Sequence, residues 1–106
     1  MQISSRIFVT GHAGMAGSAL VRKLEQSGFQ HIIKRNHADL DLMNQKAVDN
    51  FFKTERPEYV FMAAAKVGGI MANNRYAADF ILNNLAIQIN IINAAHQNDV
   101  KRLIFL

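Results

Sequence analysis

Residues 6–17 read RIFVTGHAGMAG and contain the clearest structural signal in the chain. The first five residues are mostly apolar at adjacent positions, a pattern typical of a parallel strand buried on both faces. The run ends abruptly at Gly11, and from Met15 to Gln26 the apolar spacing becomes helical until Ser27 and Gly28 end it. We therefore expect a buried strand, a tight glycine turn and a helix.

The rest of the chain continues this alternation. Further strands are predicted at residues 31–34, 39–42, 59–62 and 102–106, and further helices at residues 44–55 and 74–98. Asn44 is expected to cap the first of these two helices, and Pro57 follows its end. The alternation predicts one α/β domain over residues 1–106, a Rossmann-type doubly wound parallel sheet of about five strands in the order 3-2-1-4-5, incomplete at its C-terminus.

Composition excludes several classes of protein. The chain has 106 residues, 50% hydrophobic and 19% charged, which is typical of one soluble globular domain. Its net charge of +4 comes from scattered basic residues, so no nucleic-acid partner is predicted. No segment approaches the roughly 18 consecutive apolar residues of a membrane-spanning helix, so no membrane partner is predicted. The four histidines show no metal-ligand spacing, and the lack of cysteine fits a cytoplasmic protein without a metal site.

The turn after the first strand is a candidate cofactor-binding loop. Its candidate residues are Gly11, His12, Ala13, Gly14, Met15, Ala16 and Gly17. Three glycines at intervals of three allow a tight turn, close approach of backbone to a diphosphate, and close packing of helix on strand. The helix N-terminus adds free N–H groups and partial positive charge. The alternative is a tight turn without a ligand.

Arg35 lies where the second strand should end, at a position that normally carries an acid when the cofactor is NAD. An acid there accepts hydrogen bonds from the ribose 2′-hydroxyl, whereas an arginine fork suits a 2′-phosphate. His37, two residues further on, is a second candidate for contact with the cofactor. NADP is therefore favoured and NAD is the alternative, unless Arg35 is only a solvated charge at the strand end.

Other candidate residues follow the second, fourth and last strands. Asp39 could reach the adenine amino group, with Leu40 against the ring, although both would also suit a plain edge strand. Ala63 and Ala64 are small enough to admit a ribose at the carboxyl edge of the sheet, or they simply pack in the core. Leu106, at the end of the last strand, is predicted to lie at the same edge.

Longer runs resemble the GDP-L-fucose synthases, a family of extended short-chain dehydrogenase/reductases. These runs are GHAGMAGSA at 11–19, AAAKVGGI at 63–70, AN at 72–73, ADFI at 78–81 and AAH at 94–96. The resemblance covers essentially the whole chain. It implies the N-terminal part of a homodimeric enzyme that epimerises the nucleotide sugar GDP-4-keto-6-deoxy-mannose at two carbons and reduces its keto group with NADPH. It also implies that Ile81, Leu85, Ile89 and Ile92 face a partner chain, the alternative being the core of their own domain.

Departures from the family pattern concern cofactor choice and catalysis. Ala13 and His37 stand where the family usually has cations for the 2′-phosphate, and Ala77 replaces a usual proline. The resemblance places the catalytic Ser, Tyr, Lys, Cys and His after residue 106, and neither tyrosine has a lysine four positions on. No catalytic residue and no reductase activity are therefore expected from these residues alone. The competing hypotheses are an NAD-dependent sugar-nucleotide epimerase or dehydratase, and a non-catalytic nucleotide-binding module.

Overall fold

The computed structural model describes residues 1–63 and 75–106. Within these residues the chain forms four strands and three helices in alternation. They are β1 (Arg6–Thr10), α1 (Met15–Gln26), β2 (His31–Ile33), α2 (Gln45–Glu55), β3 (Tyr59–Met62), α3 (Arg75–Gln97) and β4 (Arg102–Phe105). The predicted alternation of strands and helices is confirmed.

The strands form one parallel sheet in the order β2-β1-β3-β4. In its register Phe8 of β1 lies between Ile33 of β2 and Val60 of β3, and Val60 pairs in turn with Leu103 of β4. The chain moves outward from β1 to β2 and then crosses back to β3, so the strand order reverses between β1 and β3. Ligands bind at such a switch point in open α/β sheets, outside the carboxyl ends of the strands.

The prediction of a strand at residues 39–42 is wrong. The segment forms turns, in which the amides of Asp39 and Leu40 both donate to the carbonyl oxygen of Asn36, at 3.0 and 2.9 Å. Asp41 accepts a further hydrogen bond on its carboxylate from the amide of Met43. These local bonds occupy backbone groups that a strand would give to a neighbour. Leu40 is buried between exposed neighbours, which imitates the alternation of a strand.

Helices cover both faces of the sheet. On one face, α2 and α3 pack against a core centred on Phe8, Phe52, Val60 and Ile91. On the other face, α1 packs against a smaller cluster of five buried side chains: Ile7, Val9, Val21, Leu24 and Phe61. Successive residues of β1 therefore point to opposite layers, as the apolar run at adjacent positions predicted.

The helix ends follow local chemistry. Asn44 caps α2 as predicted, because its side-chain oxygen accepts from the amide of Ala47 at 3.1 Å. At the other end Arg56 adopts a left-handed conformation, φ 50°, directly before Pro57. No helix in the described part of the chain is both long and apolar enough to cross a membrane.

The long helix α3 buries a different side from the one that the sequence emphasised. Ile91, Ala94 and Ala95 lie in the core. The line Ile81, Leu85, Ile89 and Ile92 is 44–58% exposed. The structure therefore does not support the alternative in which these four side chains fill the core of their own domain.

Candidate functional site

The glycine loop closes a tight turn at the sheet edge where β1 ends. Gly11 has φ 68°, a left-handed conformation that glycine adopts at no steric cost. A Cβ at this position would lie 3.2 Å from the Cβ of Ala63, the residue that follows β3. The amide of Gly14 donates to the carbonyl oxygen of Gly11 at 3.0 Å. The loop thus lies at the carboxyl edge of the sheet, beside the point between β1 and β3 where the strand order reverses.

Gly17 lets α1 lie against this loop. A Cβ at Gly17 would be 1.9 Å from the carbonyl oxygen of Gly11 and 3.0 Å from the Cα of His12. Both neighbours are backbone atoms, so no change of side-chain rotamer could relieve the steric clash of an added Cβ. Close packing of α1 therefore requires glycine here, as predicted, but the close neighbour is the loop that follows β1 and not the strand itself.

The N-terminus of α1 is chemically suited to a diphosphate. Gly14 is the N-cap residue, and no side chain caps the helix. The first-turn amides of Met15, Ala16 and Gly17 have no acceptor within the helix. The first turn also contains no acidic residue that would compete with an anion. Together with the helix dipole, these amides favour a negatively charged group at the loop.

A cavity of about 640 Å³ lies beside this loop and has the size typical of small-molecule sites. The three loop glycines, Met15, Ala16 and Ala63 line it. Asn84 and Gln88 of α3 and Phe105 of β4 line it as well, and the sequence reasoning missed these three residues. The spacing of four between Asn84 and Gln88, which places both on one side of a helix, was the available signal.

A second cavity, about 290 Å³, contains most of the predicted adenosine-binding residues. Gly11, His12, Ala13 and Gly14 line one part of it. Arg35, Asn36, His37 and Leu40 line the other part, and Leu40 is only 7% exposed. The fold therefore brings the glycine loop and the end of β2 together around this cavity.

Arg35 has protein partners of its own. One guanidinium nitrogen donates to Glu55 Oε1 at 2.5 Å and another to the carbonyl oxygen of Lys34 at 2.8 Å. The guanidinium carbon lies 5.3 Å from the centre of the Phe51 ring. Asp39 lines a neighbouring cavity on the α2 side together with Arg35 and Glu55. The interaction with Glu55 was not anticipated from the sequence.

The remaining candidates lie along the carboxyl edge of the sheet. Ala63 is half-buried, and its amide donates to the carbonyl oxygen of Thr10 at 3.4 Å. Ala64 lies outside the described residues. Leu106 is 48% exposed, and its amide donates to the carbonyl oxygen of Met62 at 3.0 Å. Its neighbour Phe105, rather than Leu106, lines the large cavity.

A parallel sheet with helices on both faces, and a glycine-lined cavity at its switch point, define a Rossmann-type α/β domain. The chain belongs to the NAD dependent epimerase/dehydratase family, whose family model matches residues 7–106.

Curated relatives agree with the family resemblance in the sequence. The chain is 55% identical over 106 residues to a putative GDP-L-fucose synthase 2 of Arabidopsis thaliana, covering 100% of this chain and 32% of the relative. It is 54% identical over 101 residues to the GDP-L-fucose synthase of Escherichia coli (strain K12), covering 95% of this chain and 32% of the relative. The chain thus spans about a third of the length of these relatives.

A solved structure shows the same fold. It is a GDP-D-glycero-L-gluco-heptose synthase from Campylobacter jejuni, determined in the presence of NADPH. It is 47% identical to this chain, with a TM-score of 0.89 over 99% of this chain and 31% of that one.

Proposed function

We propose that this chain is the cofactor-binding part of an NADP-dependent epimerase and reductase that converts GDP-4-keto-6-deoxy-mannose to GDP-L-fucose. The observation that carries the proposal is the cavity in which the glycine loop faces Arg35 and His37. Relatives named GDP-L-fucose synthase and a related GDP-sugar synthase studied with NADPH support it.

Each part of the site has a separate role in this proposal. The first-turn amides of α1 bind the diphosphate, and Gly11 and Gly14 allow the backbone to approach it. Leu40 forms an apolar surface for the adenine, and Arg35 recognises the 2′-phosphate. NADPH, when bound, supplies the hydride that reduces the sugar ketone.

Residues of this chain bind and orient the cofactor rather than transfer protons to the sugar. Tyr59 is at the first position of β3, and its side chain packs with the cluster under α1. It therefore lies at the opposite end of the strand from Ala63 and the cavity. For Tyr76 the sequence offers no lysine four residues on, since Phe80 stands there. We propose that the acid/base groups of the enzyme belong to residues other than these.

An NAD-dependent epimerase or dehydratase is less well supported. Such a site normally has an acid at the end of β2 to bind the ribose hydroxyls, whereas this chain has Lys34 and Arg35 there. A purely non-catalytic nucleotide-binding module is also disfavoured, because the curated relatives are named as synthases.

Calorimetric titration of the protein with NADP⁺ and NAD⁺ tests the cofactor. NADP⁺ should bind more tightly, and Arg35→Ala should remove the difference because only NADP⁺ carries the 2′-phosphate. Arg22→Ala, which removes an exposed arginine from α1, is the matched control and should leave both affinities unchanged. A tenfold or greater preference for NAD⁺ would support the competing NAD-dependent enzyme instead.

A turnover assay of the full-length protein tests the substrate. GDP-4-keto-6-deoxy-mannose and NADPH should give GDP-L-fucose with one NADPH consumed per product. Rapid reduction without epimerisation at the two carbons would show a simple ketoreductase and contradict the epimerase part of the proposal. Failure to oxidise NADPH with any GDP-linked keto sugar would contradict the reductase part.

We also propose that the protein is a homodimer in which α3 contacts its counterpart. The exposed apolar line of α3 supports this proposal, because contiguous exposed apolar surface commonly marks an interface. Ile89 is 58% exposed, and Ile89→Lys should therefore shift sedimentation toward the monomer. Met43→Lys, at an exposed apolar side chain in a turn, is the control. A wild-type protein that sediments as a monomer at micromolar concentration would contradict the dimer.

A further inference from the structure

We propose that Glu55 lowers the preference of this site for NADP over NAD by holding the guanidinium group of Arg35. This specificity-determining role rests on the proposed cofactor function. It concerns a residue that lies on α2, outside the glycine loop and outside the end of β2.

The guanidinium group of Arg35 contacts three partners within the protein. Two of its three nitrogens already donate hydrogen bonds, to the carboxylate of Glu55 and to the carbonyl oxygen of Lys34. Its central carbon lies over the ring of Phe51, 5.3 Å from the ring centre. Phe51 is itself 8% exposed and packs against Phe8, with ring centres 4.5 Å apart. The ring that supports Arg35 is therefore fixed in the core and holds the guanidinium near α2.

The ion pair is located on the side of Arg35 away from the glycine loop. Arg35 lies between two cavities and lines both. The first contains the loop residues Gly11 to Gly14, and Glu55 does not line it. The second contains Glu55 and Phe51, and no glycine of the loop lines it. The contact with Glu55 thus directs the charge of Arg35 toward α2, whereas a 2′-phosphate on the ribose would require it in the first cavity.

Selection for a 2′-phosphate depends heavily on this one side chain. Among the described residues that line the first cavity, Arg35 is the only lysine or arginine. Ala13 contributes no charge to the loop. A phosphate pairs best with two parallel N–H groups of one guanidinium, so it must share Arg35 with Glu55 or displace that carboxylate. The negative charge of Glu55 also opposes a phosphate that approaches the same group.

The test is the variant Glu55→Gln, which keeps the size of the side chain and removes its charge. The dissociation constants of NADP⁺ and NAD⁺ are measured by calorimetry on the purified protein. We expect NADP⁺ to bind about three to five times more tightly than to the wild type, the range set by a partly exposed ion pair. NAD⁺ should change by less than about twofold, since it has no 2′-phosphate. The pair 2′,5′-ADP and 5′-AMP should show the same difference.

Two controls separate this local effect from a change in net charge. Glu25→Gln removes one exposed carboxylate from α1, on the opposite face of the sheet, and should leave the ratio of the two affinities unchanged. In an Arg35→Ala background, Glu55→Gln should have no effect on that ratio, because the group for which the carboxylate competes is gone.

The outcomes distinguish this inference from the proposed function. If the wild type prefers NADP⁺ and Glu55→Gln leaves the ratio unchanged or lowers it, the role of Glu55 is overturned while the cofactor assignment stands. If the folded wild type binds neither dinucleotide, the cofactor assignment fails and the role of Glu55 fails with it.

Discussion

Replacing Gly17 with alanine should destabilise the domain and weaken dinucleotide binding together. The added methyl carbon would lie 1.9 Å from the carbonyl oxygen of Gly11, whereas real contacts of this kind essentially never fall below 3.0 Å. Helix α1 and the loop must therefore separate by roughly 1 Å at this contact. Overpacking of this kind costs about 1–3 kcal/mol of unfolding free energy. Urea denaturation followed by circular dichroism measures this loss.

The same displacement should misalign the first-turn amides of α1 with the diphosphate. Loss of one hydrogen bond to a charged group costs about 1.5–3 kcal/mol, or roughly a 10- to 150-fold weaker affinity. Calorimetry with NADP⁺ at a temperature where the Gly17→Ala variant remains folded measures this effect. A variant with wild-type stability and wild-type affinity would show that α1 does not pack on the loop as described.

Gly14→Ala is the matched control. Its Cβ would come no closer than 3.4 Å to the Gly11 carbonyl oxygen, an ordinary contact, and the φ of −76° suits alanine. Stability should therefore change by less than about 0.5 kcal/mol. Affinity for NADP⁺ should still fall, because in the proposed site the methyl group would lie where the backbone approaches the diphosphate. Wild-type affinity in the Gly14→Ala variant would place the diphosphate elsewhere.

Three further substitutions probe the parts of the fold that position the site. The pKa of Glu58 is lowered, chiefly by a hydrogen bond from the backbone amide of Arg6 and then by Lys101. The ionised Glu58 therefore contributes fully to stability above pH 4.5, the usual pKa, and this contribution is lost as the pH falls through the lowered pKa. Urea denaturation from pH 6 to pH 3 should show that the unfolding free energy of Glu58→Gln depends less on pH than that of the wild type. Asp99 follows α3 and has a left-handed backbone, with φ 58°. Asp99→Gly should raise stability by about 0.5–1 kcal/mol, because it removes left-handed strain and a negative charge at a helix C-terminus. An unchanged or lower melting temperature would contradict this prediction. Phe52 is fully buried and packs against Phe8, with ring centres 5.9 Å apart. Phe52→Ala should lower the unfolding free energy, measured by chemical denaturation, by about 3–5 kcal/mol. A loss below about 1 kcal/mol would be incompatible with this packing.

The alternation of strands and helices, the Asn44 cap and the glycine turn could all be read from the sequence. Each depends on chemistry within a few residues: the spacing of apolar side chains, a side-chain oxygen that accepts a hydrogen bond from a nearby backbone N–H, or a glycine that permits a left-handed turn. The error at residues 39–42 has a local origin as well. A buried Leu40 between exposed neighbours looks the same in a turn as in a strand, and only the hydrogen bonds to Asn36 distinguish them.

The site required the folded chain, because its parts come from distant positions. Asn84 and Gln88 reach the cavity only because α3 crosses the sheet to the edge where Gly11 turns. Glu55 meets Arg35 across a separation of 20 residues. Local sequence patterns predict whether a residue lies in a helix, a strand or a turn. Contacts between these elements depend on how the helices pack on the sheet. The exposed side of α3 also depended on contacts between elements. Its apolar residues could be found in the sequence, but the direction in which they point was set by packing of α3 against α2.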